Sequence, residues 1–303
     1  MKKILLLIFA LVSAEISAQV LYDHTPNART AAMGGAAVAT RGDAFAAFGN
    51  AASALMEYRM VQLSFGYTDF AGEQYGQNRI FSGGGYVRFA SRHALILGMQ
   101  FNLAPPHNYN DKRPGTQRYD LAYGCKITDR VALAATGRYY RAYGHFADED
   151  NYNGGGADVA VFSRIPLQFM EGAALNVCGK VAFDSPYSAE YNRYSLSPSV
   201  GVALSMPFSD AHILDITTEL KYGYTKQTDI FAAKLGAEYS LMRLLYLRAG
   251  GNVAHMTGNQ TISYATLGAG IRFFHFQFDV AYLVGKKGTP FHNAVQLNVG
   301  LDF

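Results

Sequence analysis

From residue 60 to residue 303, large apolar side chains alternate with small or polar ones, in about fourteen runs separated by turn residues. In the run from Leu196 to Met206, every even position is apolar and every odd position is Ser, Gly or Ala. This pattern is typical of β-strands with one apolar and one polar face, because successive strand side chains point to opposite sides. Its repetition along most of the chain predicts an all-β antiparallel fold.

The charged residues of these runs fall on the polar face. The set comprises Arg118, Asp120, Lys126, Arg138, Lys180, Glu219, Lys221, Lys234, Glu238 and Arg248. About fourteen strands enclose a lumen too wide for side chains to fill, so an apolar face turned inward would leave an unstable empty interior. With the apolar face turned to lipid, no charge lies at mid-bilayer, where each would cost about 2 to 4 kcal/mol. The sequence therefore predicts a transmembrane up-and-down β-barrel with these charges facing the lumen.

Two roles are open for the lumen charges. They could form a selectivity path for solutes, or they could neutralise one another in a polar interior packed around a plug. Their mixed signs favour the second role.

Predicted connection lengths also alternate along the chain. Long connections are predicted at 69–78, 104–115 and 141–155, with tight turns between them at 91–93 and 128–130. Outer-membrane barrels combine short periplasmic turns with longer external loops. The long connection 165–174 and the three short last outer loops depart from this pattern. The final strand alternates up to Phe303, and resembles the C-terminal strand that the outer-membrane insertion machinery recognises.

The first eighteen residues have the features of a secretory signal peptide. Lys2 and Lys3 form a basic start, residues 4–12 an apolar core, and residues 16–18 a small-residue cleavage site before Gln19. We therefore expect residues 1–18 to be removed on export, and residues 59–303 to form a barrel in the outer membrane.

Other protein classes are not favoured. The formal net charge is only +3, and the charges are scattered, so no nucleic-acid partner is expected. The eight His include no pair at metal-ligand spacing, and no nucleophile lies beside a base, so we expect no metal, no cofactor and no enzyme activity. Cys125 and Cys178 fall on opposite strand faces, which argues against a disulfide bond.

Residues 19–58 lack the period-two pattern and are rich in Ala and Gly. A compact segment with so little bulk would fit inside a barrel lumen, and its backbone could approach the wall closely. We therefore predict that residues 19–58 plug the barrel from the periplasmic side. Arg29, Asp43 and Asn50 would then form hydrogen bonds with the wall, because buried polar groups need partners.

The start of this segment resembles the N-terminus of the PorV/PorQ family of Bacteroidetes outer-membrane proteins, relatives of the FadL-type barrels. Matching positions are Pro26, Ala28, Arg29, Met33, Gly34, Val38, Ala39, Asp43, Asn50 and Ala52. Asn27 stands where the family pattern has Asp, and Ala51 where it has Pro. The resemblance covers about a tenth of the chain, and the family's fourteen-stranded fold agrees with the predicted strand number.

The resemblance implies two different functions. The first is a type IX secretion-associated protein that binds or shuttles exported cargo, with cargo proteins or secretion and attachment-complex components as partners. The alternative is a FadL-like conduit for hydrophobic small molecules. Aromatic loop residues would favour protein binding, although an aromatic girdle at the membrane interface explains them equally well. These residues are Tyr109, Tyr143, Phe146, Tyr152, Tyr187 and Tyr191.

Overall fold

The computed structural model describes residues 25–70, 78–103, 115–143, 152–185, 195–225, 229–257, 260–287, 289 and 291–303. Fourteen antiparallel strands form one closed barrel, in which each strand pairs with its sequence neighbours and β1 pairs with β14. The strands are β1 Val61–Phe70, β2 Asn78–Phe89, β3 His93–Leu103, β4 Gly115–Thr128, β5 Val131–Tyr143, β6 Tyr152–Pro166, β7 Ala174–Asp184, β8 Ser195–Ser209, β9 His212–Thr225, β10 Asp229–Leu241, β11 Leu245–Met256, β12 Gln260–Phe273, β13 Phe276–Gly285 and β14 His292–Asp302. The predicted up-and-down barrel is thus confirmed.

The strand faces follow the predicted alternation. On β10, Phe231, Leu235 and Tyr239 are exposed, whereas Lys234 and Glu238 are buried inside the barrel. Large apolar side chains are exposed in the same way on all fourteen strands. An apolar belt of this extent is stable against lipid, so the barrel belongs in the outer membrane. Within the described residues, no helix is long and apolar enough to cross a membrane.

One end of the barrel carries short connections. The β2–β3, β4–β5, β8–β9, β10–β11 and β12–β13 turns contain two or three residues each, and the longest connection at this end is 167–173, between β6 and β7. We call this the short-turn end, and it corresponds to the periplasmic side of outer-membrane barrels. Most of each long connection predicted for the opposite, outer end lies outside the described residues.

The connections between strands agree with those predicted from sequence to within a few residues, with one larger difference. We predicted residues 141–155 as a loop, but β6 begins at Tyr152 and pairs with β5 there, with Arg141 opposite Asn153. The glycines at 154–156 interrupt the apolar alternation, so the period-two signal is lost although the backbone pairing continues. The predicted signal peptide, residues 1–18, lies outside the described residues.

Candidate functional site

Residues 25–58, which we call the inner segment, lie within the barrel. The segment contains one helical turn, α1 (Ala28–Ala31), and a 3-10 helix (Ala51–Met56). Helix α1 contacts β12, β13 and β14, whereas the 3-10 helix contacts β2 through β6 on the other side of the barrel. Most side chains of the segment are buried. The segment therefore crosses the interior from one wall to the other.

Two asparagines begin the helical turns of the inner segment. The Asn27 side-chain oxygen accepts the Arg29 N–H (2.9 Å), and that of Asn50 accepts the Ala52 N–H (3.0 Å). The Asn50 amide also donates to the carbonyl of Val161 on β6 (3.1 Å), which joins the segment to the wall. Asn50 therefore contacts the wall as predicted.

Asp43 is held inside the segment. Its carboxylate accepts the Asn27 amide (2.5 Å) and the Phe45 N–H (2.9 Å). Burial raises the pKa of the Asp43 carboxyl, and the nearby Arg29 guanidinium opposes this shift. We had predicted a bond from Asp43 to the barrel wall, but its described hydrogen bonds are to other residues of the inner segment.

Close approach between the inner segment and the wall depends on glycine. Met33 and Gly34 lie against Gly236 of β10 and Gly250 of β11, and a methyl group at either strand glycine would overlap the Met33 backbone. Gly34 itself has φ of +70°, a left-handed conformation that glycine adopts without steric cost. The motif residues Met33 and Gly34 thus form one of the closest backbone contacts between segment and wall.

Arg29 binds a group of wall charges in the short-turn half of the barrel. Its guanidinium donates two bonds to Glu238 of β10, at 2.8 and 2.9 Å. Arg248 of β11 binds the same carboxylate (2.6 Å) and also Asp279 of β13 (2.7 Å). Asp43 lies 3.8 Å from Arg29. We call these five residues the Glu238 cluster.

A second group of charges lies on the opposite wall, in the outer half. Arg138 of β5 bridges Asp120 (2.9 Å), Asp158 (2.6 Å) and Asp184 (2.7 Å) on β4, β6 and β7. Arg118 binds Asp120 at 2.7 Å. We call these five residues the Arg138 cluster. Every charge in it has an opposite charge within bonding distance. Its three carboxylates outnumber its two guanidinium groups, and this excess is offset by Lys180, whose Nζ lies 3.8 Å from Asp158.

Three further wall residues, Glu219, Lys234 and Lys180, bind the backbone of the inner segment. Glu219 of β9 accepts the N–H groups of Ala37 (2.7 Å) and Val38 (3.0 Å), and pairs with Lys234 at 3.3 Å. Beside the Arg138 cluster, Lys180 donates to the Gly49 carbonyl (2.7 Å).

The predicted lumen charges therefore do not line an open path. Eight of them belong to the ion pairs described above, namely Arg118, Asp120, Arg138, Lys180, Glu219, Lys234, Glu238 and Arg248. Lys221 lies on β9 opposite Ser199, and Lys126 lies at the short-turn rim rather than in the interior. The lumen charges predicted from sequence did not include the wall partners Asp158, Asp184 and Asp279, although all three occupy the polar parity of their strands.

The inner wall is not uniformly polar, which corrects the sequence prediction. At the outer end, Tyr264 stacks on Phe291 with ring centroids 4.5 Å apart, and Phe70 meets Phe291 edge-on at 6.1 Å. Ile80 and Leu283 complete this group, which packs against the alanines of α1. We call these five residues the outer apolar cluster. Inward-facing positions can be apolar here because the inner segment, rather than water, covers them.

A second apolar area covers the short-turn half of β2 through β8. Tyr86, Ile96 and Phe162 of the wall pack against Leu55 and the alanines of the 3-10 helix. A cavity between the inner segment and the wall strands β1, β13 and β14 has a volume of about 10 Å³. A cavity of about 20 Å³ lined by residues of the inner segment has room for about one water molecule.

Among the residues that the structure describes, no three His, Cys, Asp or Glu side chains are placed to hold a metal ion. Cys178 is buried on the inner face and Cys125 is half-buried, in line with their predicted opposite faces. Tyr109, Phe146, Tyr187 and Tyr191 of the predicted aromatic loops lie outside the described residues, and Tyr143 and Tyr152 are described only in their strand pairing.

No protein-family model matches the chain, and no curated protein matches it in sequence. Solved structures do match its fold. The toluene transporter TbuX of Ralstonia pickettii is 14% identical with a TM-score of 0.61, and the match covers 90% of this chain and 96% of that one. A FadL homologue of Pseudomonas aeruginosa is 13% identical (TM-score 0.58; 90% and 98% covered). The Pseudomonas putida toluene transporter TodX is 10% identical (TM-score 0.57; 89% and 95% covered). Identities this low establish a shared fold alone.

Proposed function

We propose that this protein is an outer-membrane conduit for hydrophobic small molecules, closed at rest by residues 19–58 acting as a plug. The observation that carries the proposal is the outer apolar cluster, which faces the lumen at the end where an external solute would enter. Channels for polar solutes have polar interiors. Aromatic and aliphatic side chains at this position instead suit an apolar ligand, because binding pockets for such ligands are mostly apolar.

The interior of the described barrel supports a plugged state. The inner segment contacts both walls and leaves room for about one water molecule in its own cavity. A solute bound at the outer apolar cluster would therefore pass only when the inner segment moves. Helix α1 must move first, because its alanines cover the outer apolar cluster.

Fold similarity supports the same proposal. Two of the matching structures are toluene transporters. Toluene is a small apolar molecule that could occupy the space beside Phe291 and Tyr264 if the α1 alanine side chains moved away. The alternative, a cargo-binding role in type IX secretion, has no support from these similarities. It rests on the PorV/PorQ-like motif, whose residues Arg29, Gly34 and Asn50 here serve to seat the inner segment.

Uptake of radiolabelled toluene by Gram-negative cells tests the proposal. We expect cells that produce this protein to take up toluene faster than cells with an empty vector, with no change for a polar solute such as maltose. Phe291→Ser should abolish the gain, because Phe291 is 3% exposed at the centre of the cluster. Phe274→Ser is the matched control, since Phe274 is 78% exposed in a turn at the short-turn end. Equal gains for toluene and maltose, or none for either, would contradict the proposal.

A further inference from the structure

The inner rim of the short-turn end carries an arc of five cations from β2 to β6. We call Arg88, Arg92, Lys126, Arg130 and Arg164 the rim arc. Arg92 and Arg130 lie in the β2–β3 and β4–β5 turns and are exposed. The other three cations lie near the ends of their strands, at positions whose side chains face the inside of the barrel. Each is two residues beyond a buried position, namely Tyr86, Gly124 or Phe162. The arc therefore faces the periplasmic mouth and not the surrounding lipid.

Strand register places two pairs of like charges directly opposite each other. The Lys126 N–H donates to the Arg92 carbonyl (2.8 Å), and the Arg164 N–H donates to the Arg130 carbonyl (2.8 Å). Arg88 approaches the same turn, where its guanidinium is 3.5 Å from the Ser91 carbonyl. Side chains directly opposite on neighbouring strands lie close together, and like charges there destabilise the pairing. The rim arc is thus an unfavourable arrangement for the barrel by itself.

The rim arc differs from the charges deeper in the barrel. Arg29, Arg138 and Arg248 each lie within 3 Å of a carboxylate. Among the residues that the structure describes, none of the five rim cations lies within 4 Å of one. Asp129 lies in the β4–β5 turn, and the Glu57 backbone carbonyl accepts a hydrogen bond from Arg88, but two acids do not balance five cations. The rim arc therefore carries an excess of positive charge that an external partner could neutralise.

We infer that the rim arc binds an acidic stretch of polypeptide presented from the periplasm. Four of the five cations are arginines, which bind carboxylates through two parallel hydrogen bonds. The arc crosses four interstrand spacings of about 4.8 Å, or about 19 Å in all. An extended chain covers that distance in about six residues. A short acidic run of this length matches both the charge and the span, and lipid head groups lie on the other face of the strands.

Fluorescence anisotropy with a labelled hexaglutamate peptide tests this inference on the full-length mature protein in zwitterionic detergent. We expect hexaglutamate to bind, hexaglutamine not to bind, and higher ionic strength to weaken binding. The double variant Arg92→Gln/Arg130→Gln should raise the Kd at least about tenfold, because it removes one cation from each opposed pair. Arg243→Gln is the matched control, since Arg243 is an exposed turn arginine at the same end, between β10 and β11.

Barrel assembly is checked by comparing gel migration before and after boiling. The double variant should assemble at least as well as the parent protein, because the repulsion between opposed cations is relieved. The inference is overturned if hexaglutamate binds no better than hexaglutamine, or if Arg243→Gln weakens binding as much as the double variant. It is also overturned if phosphatidylglycerol bicelles displace the peptide, since the arc would then recognise lipid.

Discussion

Replacing Arg29 by Met tests how the inner segment is held in the barrel. Arg29 is fully enclosed, with its side chain 4% exposed, and donates two hydrogen bonds to Glu238. Met has a similar length and no charge, so the substitution removes the ion pair with little change of volume. We expect the inner segment to leave its seat more often, and ion conductance through the barrel to rise.

The expected size of the effect follows from the partners that remain. Breaking a buried pair from one side costs about 3 to 5 kcal/mol, mostly because the other charge is left unpaired. Here Glu238 keeps Arg248 at 2.6 Å, and Asp43 keeps the Asn27 amide. The cost should therefore fall near the lower end, about 3 kcal/mol. At about 1.4 kcal/mol per factor of ten, the unseated population, meaning the fraction of molecules whose inner segment has left its bound position, should rise about 100-fold.

Arg41→Met provides the matched control. Arg41 belongs to the same segment and pairs with one wall carboxylate, Asp215 of β9, at 2.6 Å. Its side chain is 33% exposed, so the pair is screened by solvent and worth at most about 1 kcal/mol. We expect Arg41→Met to raise the unseated population by no more than about fivefold.

Single-channel recording in planar bilayers measures both variants, with heat-modifiable gel migration confirming that each barrel has assembled. The parent protein should conduct little, and Arg29→Met should show frequent openings. Equal conductance for Arg29→Met and Arg41→Met would show that burial of the ion pair does not hold the segment. An assembled Arg29→Met barrel as closed as the parent would refute the reasoning altogether.

Three further substitutions test other parts of the structure. Leu235→Arg should block membrane assembly where Leu235→Phe does not, since a lipid-facing charge costs about 2 to 4 kcal/mol; membrane yield measures this. Asn27→Asp should raise conductance, because a carboxylate cannot donate to Asp43 and would repel it. Gly236→Ala should also raise conductance, since its methyl group would overlap the inner segment, whereas Gly137→Ala meets nothing nearer than 4.0 Å and should have no effect.

The barrel could be predicted from sequence because lipid imposes a strict pattern. Every strand that crosses the membrane must alternate, and a one-residue slip would turn its polar side chains to lipid. This constraint ends where the strands leave the apolar layer. The start of β6, Tyr152 to Gly155, is therefore strand by backbone pairing but carries no alternating signal.

The interior could be predicted only in part. The motif pointed to Arg29, Asp43 and Asn50 as buried polar residues, and the structure shows all three buried. Their partners could not be deduced, because Arg29 and Glu238 are 209 positions apart and meet only when the barrel closes around the segment. The same holds for Gly236, since nothing in its strand distinguishes a glycine that faces an empty lumen from one that receives Met33.

The arrangement of charged and apolar areas also explains why the inner segment has one orientation in a barrel of fourteen similar strands. The Glu238 cluster lies on β10, β11 and β13 in the short-turn half, and the apolar wall around Ile96 and Phe162 lies in the same half on the other side. A segment turned by half a revolution would bring Arg29 against that apolar wall. Burying its charge without a partner would cost several kcal/mol, and Glu238 would lose its closest contact with the segment. The paired charges therefore fix one orientation of the inner segment, whose alanines and glycines alone would pack against the wall in several orientations.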